Sequence, residues 1–175
     1  MKDRTDEEKN RALGSVVYEA LLLGLGIQLY RERNHFPKLK LAQWSREGQI
    51  ALELCLMRCR TLEKFFSGHS NWKDDIQINQ IDPDYKRSEC SIDSVNPDFI
   101  AAIHKRSAHL TWKRATADLE TFQEMNFEES CLIVFREAYC FIGSQVTKDG
   151  FVFLDSRHAN YWQELKLLYE DLFRE

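Results

Sequence analysis

Two histidines, His104 and His109, fall within the run Phe99–Arg114 (FIAAIHKRSAHLTWKR), together with Lys105, Arg106, Lys113 and Arg114. No acidic residue lies between Phe99 and Ala117, although the whole chain carries a formal charge of −4. Histidine exchanges protons near neutral pH, and arginine holds phosphate oxygens bidentately. Cleavage of RNA without a metal needs these types: a base for the 2′-hydroxyl, an acid for the leaving oxygen, and cations for the crowded phosphate charge. At about 100° per residue, a helix here places Arg106, His109 and Lys113 along one flank and Arg114 on the opposite one. His109 and Arg106 are therefore the candidate catalytic pair. Lys113, Arg114 and, on an earlier segment, Arg60 are the candidate substrate-binding cations. The structural alternative is a half-buried His109 bonded to a carbonyl or an acid of a neighbouring helix, with the basic residues merely solvated.

Other chemistries lack their signatures. The chain has no phosphate-binding glycine loop, no HExxH, no GxSxG and no EF-hand loop. His104 and His109 are five apart, which does not place two zinc ligands on one helix face. Five cysteines occur, at 55, 59, 90, 131 and 140, without a CxxC. Cys55 and Cys59 share a helix face but have no second pair, so they read as buried small hydrophobes rather than metal thiolates. No metal and no cofactor is expected.

The elements that must position these residues are helical. Seven glycines and three prolines in 175 residues are few, which favours long helices over a turn-rich sandwich. Thr5 with Glu8 forms a capping box for a first helix reaching Arg33, with Leu13, Val17, Ala20, Leu21 and Ile27 at helical spacing. Gly24 and Gly26, inside its apolar stretch, point to close packing of a neighbour rather than a ligand loop. A second helix spans about Leu41–Phe66, with Leu41, Trp44, Ile50, Leu54, Met57, Leu62 and Phe65 on its buried side. Arg58 and Arg60 on it cover core with their stems and reach solvent or an acid with their heads. Residues 68–97 form a long loop across the outside, with IQINQI (76–81) left without secondary structure. A third helix starts at Pro97, capped by Asn96, and buries Phe99, Ile103 and Leu110. Residues 115–123 continue that helix or begin another after a bend. Asn126 caps a fourth helix to about Gln145, FVFL (151–154) docks on the bundle, and a last helix spans about Arg157–Phe173. The expected fold is all-α: one domain over 1–175, an up-and-down bundle of about five main helices.

The strings Arg60-x-Leu62-x-x-Phe65-Phe66 and Ala108-His109-Leu110-Thr111-x-x-Arg114, separated by a long loop, resemble the HEPN-like family (higher eukaryotes and prokaryotes nucleotide-binding). These are small bacterial helical proteins of the abortive-infection kind. The resemblance covers the middle half of the chain. It implies a bundle of four or more helices and, in active members, a metal-independent ribonuclease that works as a dimer. Such sites contain an arginine, a short spacer and a histidine, RxxxxH or slightly longer. His109 takes the histidine place, but His104, Ile103 and Ala102 occupy the positions where the arginine belongs, and Arg106 is only three residues before it. The expected role is RNA binding or cleavage in a defence or toxin system, with RNA, a second copy and an antitoxin as partners. Whether the chain is an enzyme is left open.

The rival expectation is a non-catalytic helical module that dimerises or binds a partner protein through Trp44, Trp112 or the last helix. The charged first twelve residues do not make a signal peptide, and the longest apolar run, Ala20–Ile27, is shorter than a membrane span. With a pI near 5.8 and reduced thiols, a cytoplasmic location away from membranes is expected.

Overall fold

The computed structural model describes residues 4–32, 46–68, 76–87, 92–108 and 126–174, and the side chains at 46, 49 and 105–108 lie outside that description. The fold is an all-α bundle, with no strand among the described residues. We number the helices α1 (Asp6–Arg31), α2 (Arg46–Ser67), α3 (Ile78–Ile81), α4 (Pro97–Ala108), α5 (Phe127–Val146) and α6 (Ser156–Leu172). A single 3-10 turn, Ile92–Ser94, precedes α4.

The first helix is the axis of the bundle. The Thr5 hydroxyl accepts from the Glu8 N–H at 3.2 Å, and the Glu8 carboxylate accepts from the Thr5 N–H at 2.8 Å, so the expected capping box is present. Buried positions run from Leu13 to Tyr30 on several sides of α1, as a helix with neighbours all round requires. Contacts at Glu19–Arg58 and Gly26–Cys55 make α2 antiparallel to α1. Tyr30–Phe127 and Gly24–Phe135 make α5 antiparallel to it as well. Gly14–His158, Tyr18–Tyr161 and Gly24–Leu168 make α6 parallel to it.

Glycines let these neighbours approach. A Cβ at Gly24 would lie 2.5 Å from Leu168 Cδ2 and 2.7 Å from Phe135 Cε2. One at Gly26 would lie 2.9 Å from Cys55 Sγ, and one at Gly14 only 2.0 Å from His158 Nδ1. The close-packing reading of Gly24 and Gly26 therefore holds.

Within the interior, Phe65, Phe66 and Phe141 meet edge to face, and Phe99 packs on Phe127. Tyr139 and Tyr169 stack at 3.8 Å between α5 and α6. Cys55, Cys59 and Cys131 are all fully buried and lie together in the core. Burial is the first cause that pushes the Cys131 and Cys59 thiols up, which disfavours the reactive thiolate.

Helix α1 also contains an 18-residue window of mean hydropathy 1.6, long and apolar enough to cross a membrane, although no unbroken apolar run of that length exists. More than half of that window, 56%, is covered by the rest of the bundle.

Several expectations need correction. Ile50 and Met57 were placed on the buried side of α2, but they are 51% and 49% exposed. The inner stripe runs instead through Leu52, Cys55, Cys59, Leu62 and Phe66. Ile50 and Met57, seven apart, share the outward face. Asn126 occupies the cap position of α5 but makes no capping bond, because its backbone is left-handed (φ 51°). The IQINQI segment is not plain loop: Ile78–Ile81 forms one helical turn, closed by a Gln77–Gln80 box. Leu41, Trp44, Leu110, Trp112 and the 115–123 segment lie outside the described residues.

The described parts of the connection after α2, residues 76–87 and 92–96, are anchored on the bundle. Ile81, Ile92 and Val95 are buried, and Arg87 donates to the Phe66 carbonyl and to Asp93. Tyr85 donates its hydroxyl to the fully buried Glu137 of α5 at 3.1 Å. Burial first, and then the Glu137 carboxylate, push the Tyr85 phenol well above its usual range. Asp82 accepts from Gln145 at 2.7 Å and from Lys148 at 3.0 Å. Burial alone would raise the Asp82 carboxyl, but these two donors outweigh it and hold the group below its ordinary value.

A depressed folded-state value means that stability is present above the unfolded value, about 3.9 for aspartate, and is lost as pH falls through the folded value. The melting-temperature gap between wild type and Asp82→Asn should therefore be constant from about pH 7 to 5 and close below about pH 4. A gap that does not change with pH would show that the Asp82 charge does not anchor this segment.

Candidate functional site

The side chains with chemical potential that the described structure brings together lie where α4 packs on α2. The Phe99 and Ile103 side chains, one turn apart and fully buried, fix the inner face of α4. Its start is set by Asn96, whose side chain accepts from the Asp98 N–H at 2.8 Å, as the sequence implied. One residue beyond Ile103, the rotation of the helix carries His104 to the edge of the α2 contact. There His104 Nε2 meets Glu63 Oε2 at 2.7 Å.

The two side chains differ in exposure: His104 keeps 35% of its surface and Glu63 13%. An ionised carboxylate can only accept, so the ring donates from Nε2. That bond fixes the ring orientation. Arg60 stands three residues before Glu63 on α2, so the two are neighbours on the helix surface. The arrangement thus offers an oriented imidazole and its carboxylate, with a half-buried arginine one turn before the carboxylate on α2.

Of the residues singled out in the sequence, Arg60 stands on α2 and lines a cleft between α1 and α2. Arg106 is placed on α4 two residues after His104, and its side chain lies outside the described residues. His109, Lys113 and Arg114 lie outside them as well. Glu63 and His104 were not chosen from the sequence as site residues. The signal was present in Glu63, inside the Arg60–Phe66 string, and in His104, at the head of the basic run. What was hidden is the long-range pairing across 41 residues.

The paired-acid expectation for an arginine on α2 is met at Arg58, whose Nη1 lies 2.8 Å from both carboxylate oxygens of Glu19 on α1. Among the described residues, no group of three or more His, Cys, Asp and Glu is arranged to hold a metal ion. No protein-family model, curated protein or solved structure matches this chain.

The Glu63–His104 contact should register in a double-mutant cycle. With Glu63→Ala and His104→Ala, urea denaturation should give a favourable coupling of about 0.3–1 kcal/mol, the range of a half-exposed polar contact. A coupling of zero would mean that the two groups do not hold each other in solution.

Proposed function

We propose that this protein binds RNA along the α2–α4 seam and cleaves it by metal-independent acid–base chemistry, in keeping with the HEPN-like resemblance of its central strings. The observation that carries the reading is the 2.7 Å contact that orients His104 on Glu63. In this reading His104, rather than His109 alone, takes the proton of the 2′-hydroxyl as that oxygen attacks phosphorus, and returns it to the departing 5′-oxygen. Arg60 and Arg106 supply charge for the phosphate, and His109, Lys113 and Arg114 extend the basic surface along the chain. A role in defence or as a toxin, a cytoplasmic location, and pairing with a second copy or an antitoxin accompany the resemblance and stand as parts of the same proposal.

A second reading, a non-catalytic interaction module, draws on a different observation. Tyr18 and Leu25 on α1, and Ile50 and Met57 on α2, leave large apolar side chains exposed along two adjacent helices. Trp44 and Trp112, the first choices for such a surface, lie outside the described residues, while α6 does expose Leu167.

Incubation of the purified protein with total RNA in a chelator separates the readings. The ribonuclease reading predicts cleavage that falls at least about a hundredfold in His104→Ala, the usual scale of a general acid–base group. It also predicts RNA affinity that drops steeply with salt. Equal cleavage by His104→Ala with loss in His109→Ala would move the proton transfer to His109. Absence of both cleavage and RNA binding by wild type would contradict the proposal and favour the interaction module.

A further inference from the structure

Helix α5 ends at Val146, and the chain turns sharply before the segment at 151–154. The Phe151 N–H donates to the Lys148 carbonyl at 3.1 Å, which closes a β-turn with Asp149 and Gly150 at its centre. Gly150 has φ 77°, in the left-handed region that glycine enters without steric cost. A Cβ built on it would meet nothing within 4 Å, and residues 147–150 are all exposed. The backbone of the turn, and not packing, therefore calls for the glycine.

The flanks of this turn are held. The Lys148 ammonium bonds Asp82 and Gln145 on one side. On the other, the Asn10 side chain donates to the Val152 carbonyl at 2.8 Å and accepts from the Leu154 N–H at 3.1 Å. The two central residues differ from their neighbours. Neither the Asp149 carboxylate nor the Gly150 N–H makes a hydrogen bond within the described structure.

This places a free carboxyl carbon beside an unhindered amide nitrogen. Asp149 is the only aspartate in the chain that precedes a glycine, and no Asn-Gly pair occurs. Other aspartates are restrained. Asp93 and Asp155 are paired with Arg87 and Arg157, and each precedes a serine whose side chain crowds the nitrogen. Asp82 precedes Pro83, which has no N–H to lose. Asp6, Asp98 and Asp171 lie inside helices.

We infer that the Asp149–Gly150 turn is a self-modification site, at which the backbone isomerises to isoaspartate through a cyclic imide. The Gly150 nitrogen attacks Asp149 Cγ in its carboxylic-acid form. The new C–N bond closes a five-membered ring, and the carboxyl hydroxyl leaves as water with the proton of the Gly150 N–H. Water then adds to the main-chain carbonyl carbon of Asp149 and breaks its bond to nitrogen. The chain thereafter runs through Cγ, one methylene longer, and the former carbonyl becomes a free carboxylate. Water adding to Cγ instead restores aspartate. Both products carry an oxygen from solvent, and no reactant besides water is needed. The inference does not depend on the RNA reading.

The full-length protein is incubated in heavy-oxygen water at neutral pH, folded and in guanidinium chloride, and its peptides are fragmented in a mass spectrometer to place the label. The folded protein should gain heavy oxygen at residue 149, partly as isoaspartate. Its rate should lie within about tenfold of the denatured chain's, a barrier difference below about 1.4 kcal/mol. Asp149→Glu, which would need a six-membered ring, should lose the label. Folded protein that stays unlabelled at 149, that is labelled more slowly than this range, or that keeps the label in Asp149→Glu would each overturn the inference.

Discussion

The packing of α1 against three neighbours is the constraint on which the other contacts depend. Leu13, Val17, Ala20, Leu23 and Ile27 are at most 1% exposed, so α1 has core on more than one side. Three helices can surround one helix this closely only where side chains make way. Gly14 admits the His158 ring, Gly24 admits Leu168 and Phe135, and Gly26 admits Cys55. Each glycine carries a helix-propensity penalty of about 1 kcal/mol relative to alanine. The close approach offsets that penalty through dispersion contacts and apolar burial that a methyl group would prevent.

Once α1 is fixed, the rest of the structure hangs from it in a short sequence of contacts. Helix α2 lies on α1 through the Cys55 side and through the Arg58–Glu19 pair, which spares the Glu19 carboxylate an unpaired position at 20% exposure. Helix α4 then rests on α2 and reaches the bundle through Phe99 and Ile103. The seam holding Glu63 and His104 is thus two packing steps away from α1. The outward face of α2, with Met57 and Lys64, borders α1 directly. The connection through Tyr85 and Asp82 ties α5 to the stretch between α2 and α4, and Tyr85 donates a hydrogen bond to the buried Glu137 carboxylate.

Much of this fold was legible in the sequence, because helix signals are local. The Thr5–Glu8 box, the Asn96 cap and the spacing of Phe99 and Ile103 each involve residues within one turn or two. Gly24 and Gly26 were read correctly as contact points, although the partners Leu168, Phe135 and Cys55 could not be named from spacing alone. The errors have physical causes. Ile50 and Met57 are hydrophobic, and hydrophobicity by itself does not tell a buried face from an exposed one when a helix is apolar on several sides. Asn126 is a common capping type, but the same short side chain also tolerates a left-handed backbone, and here the second property decides. The candidate site was harder still. Its decisive pair joins residues 63 and 104, and neither residue stands out until the two helices are packed together. The basic run at 104–114 was visible, yet the partner that orients its first histidine was not.

If glycine contacts on α1 set the spacing of the bundle, two glycine-to-alanine variants should differ in sign when compared by urea denaturation. Gly143 on α5 has nothing within 4 Å of a Cβ built on it, whereas Gly24 would meet Leu168 and Phe135. Alanine at 143 should raise stability by about 0.5–1 kcal/mol, the ordinary gain of a helical glycine replacement. Alanine at 24 should lower it by about 1–3 kcal/mol, because overpacking outweighs that gain. Opposite signs are the predicted result. A Gly24→Ala variant stabilised as much as Gly143→Ala would contradict the account.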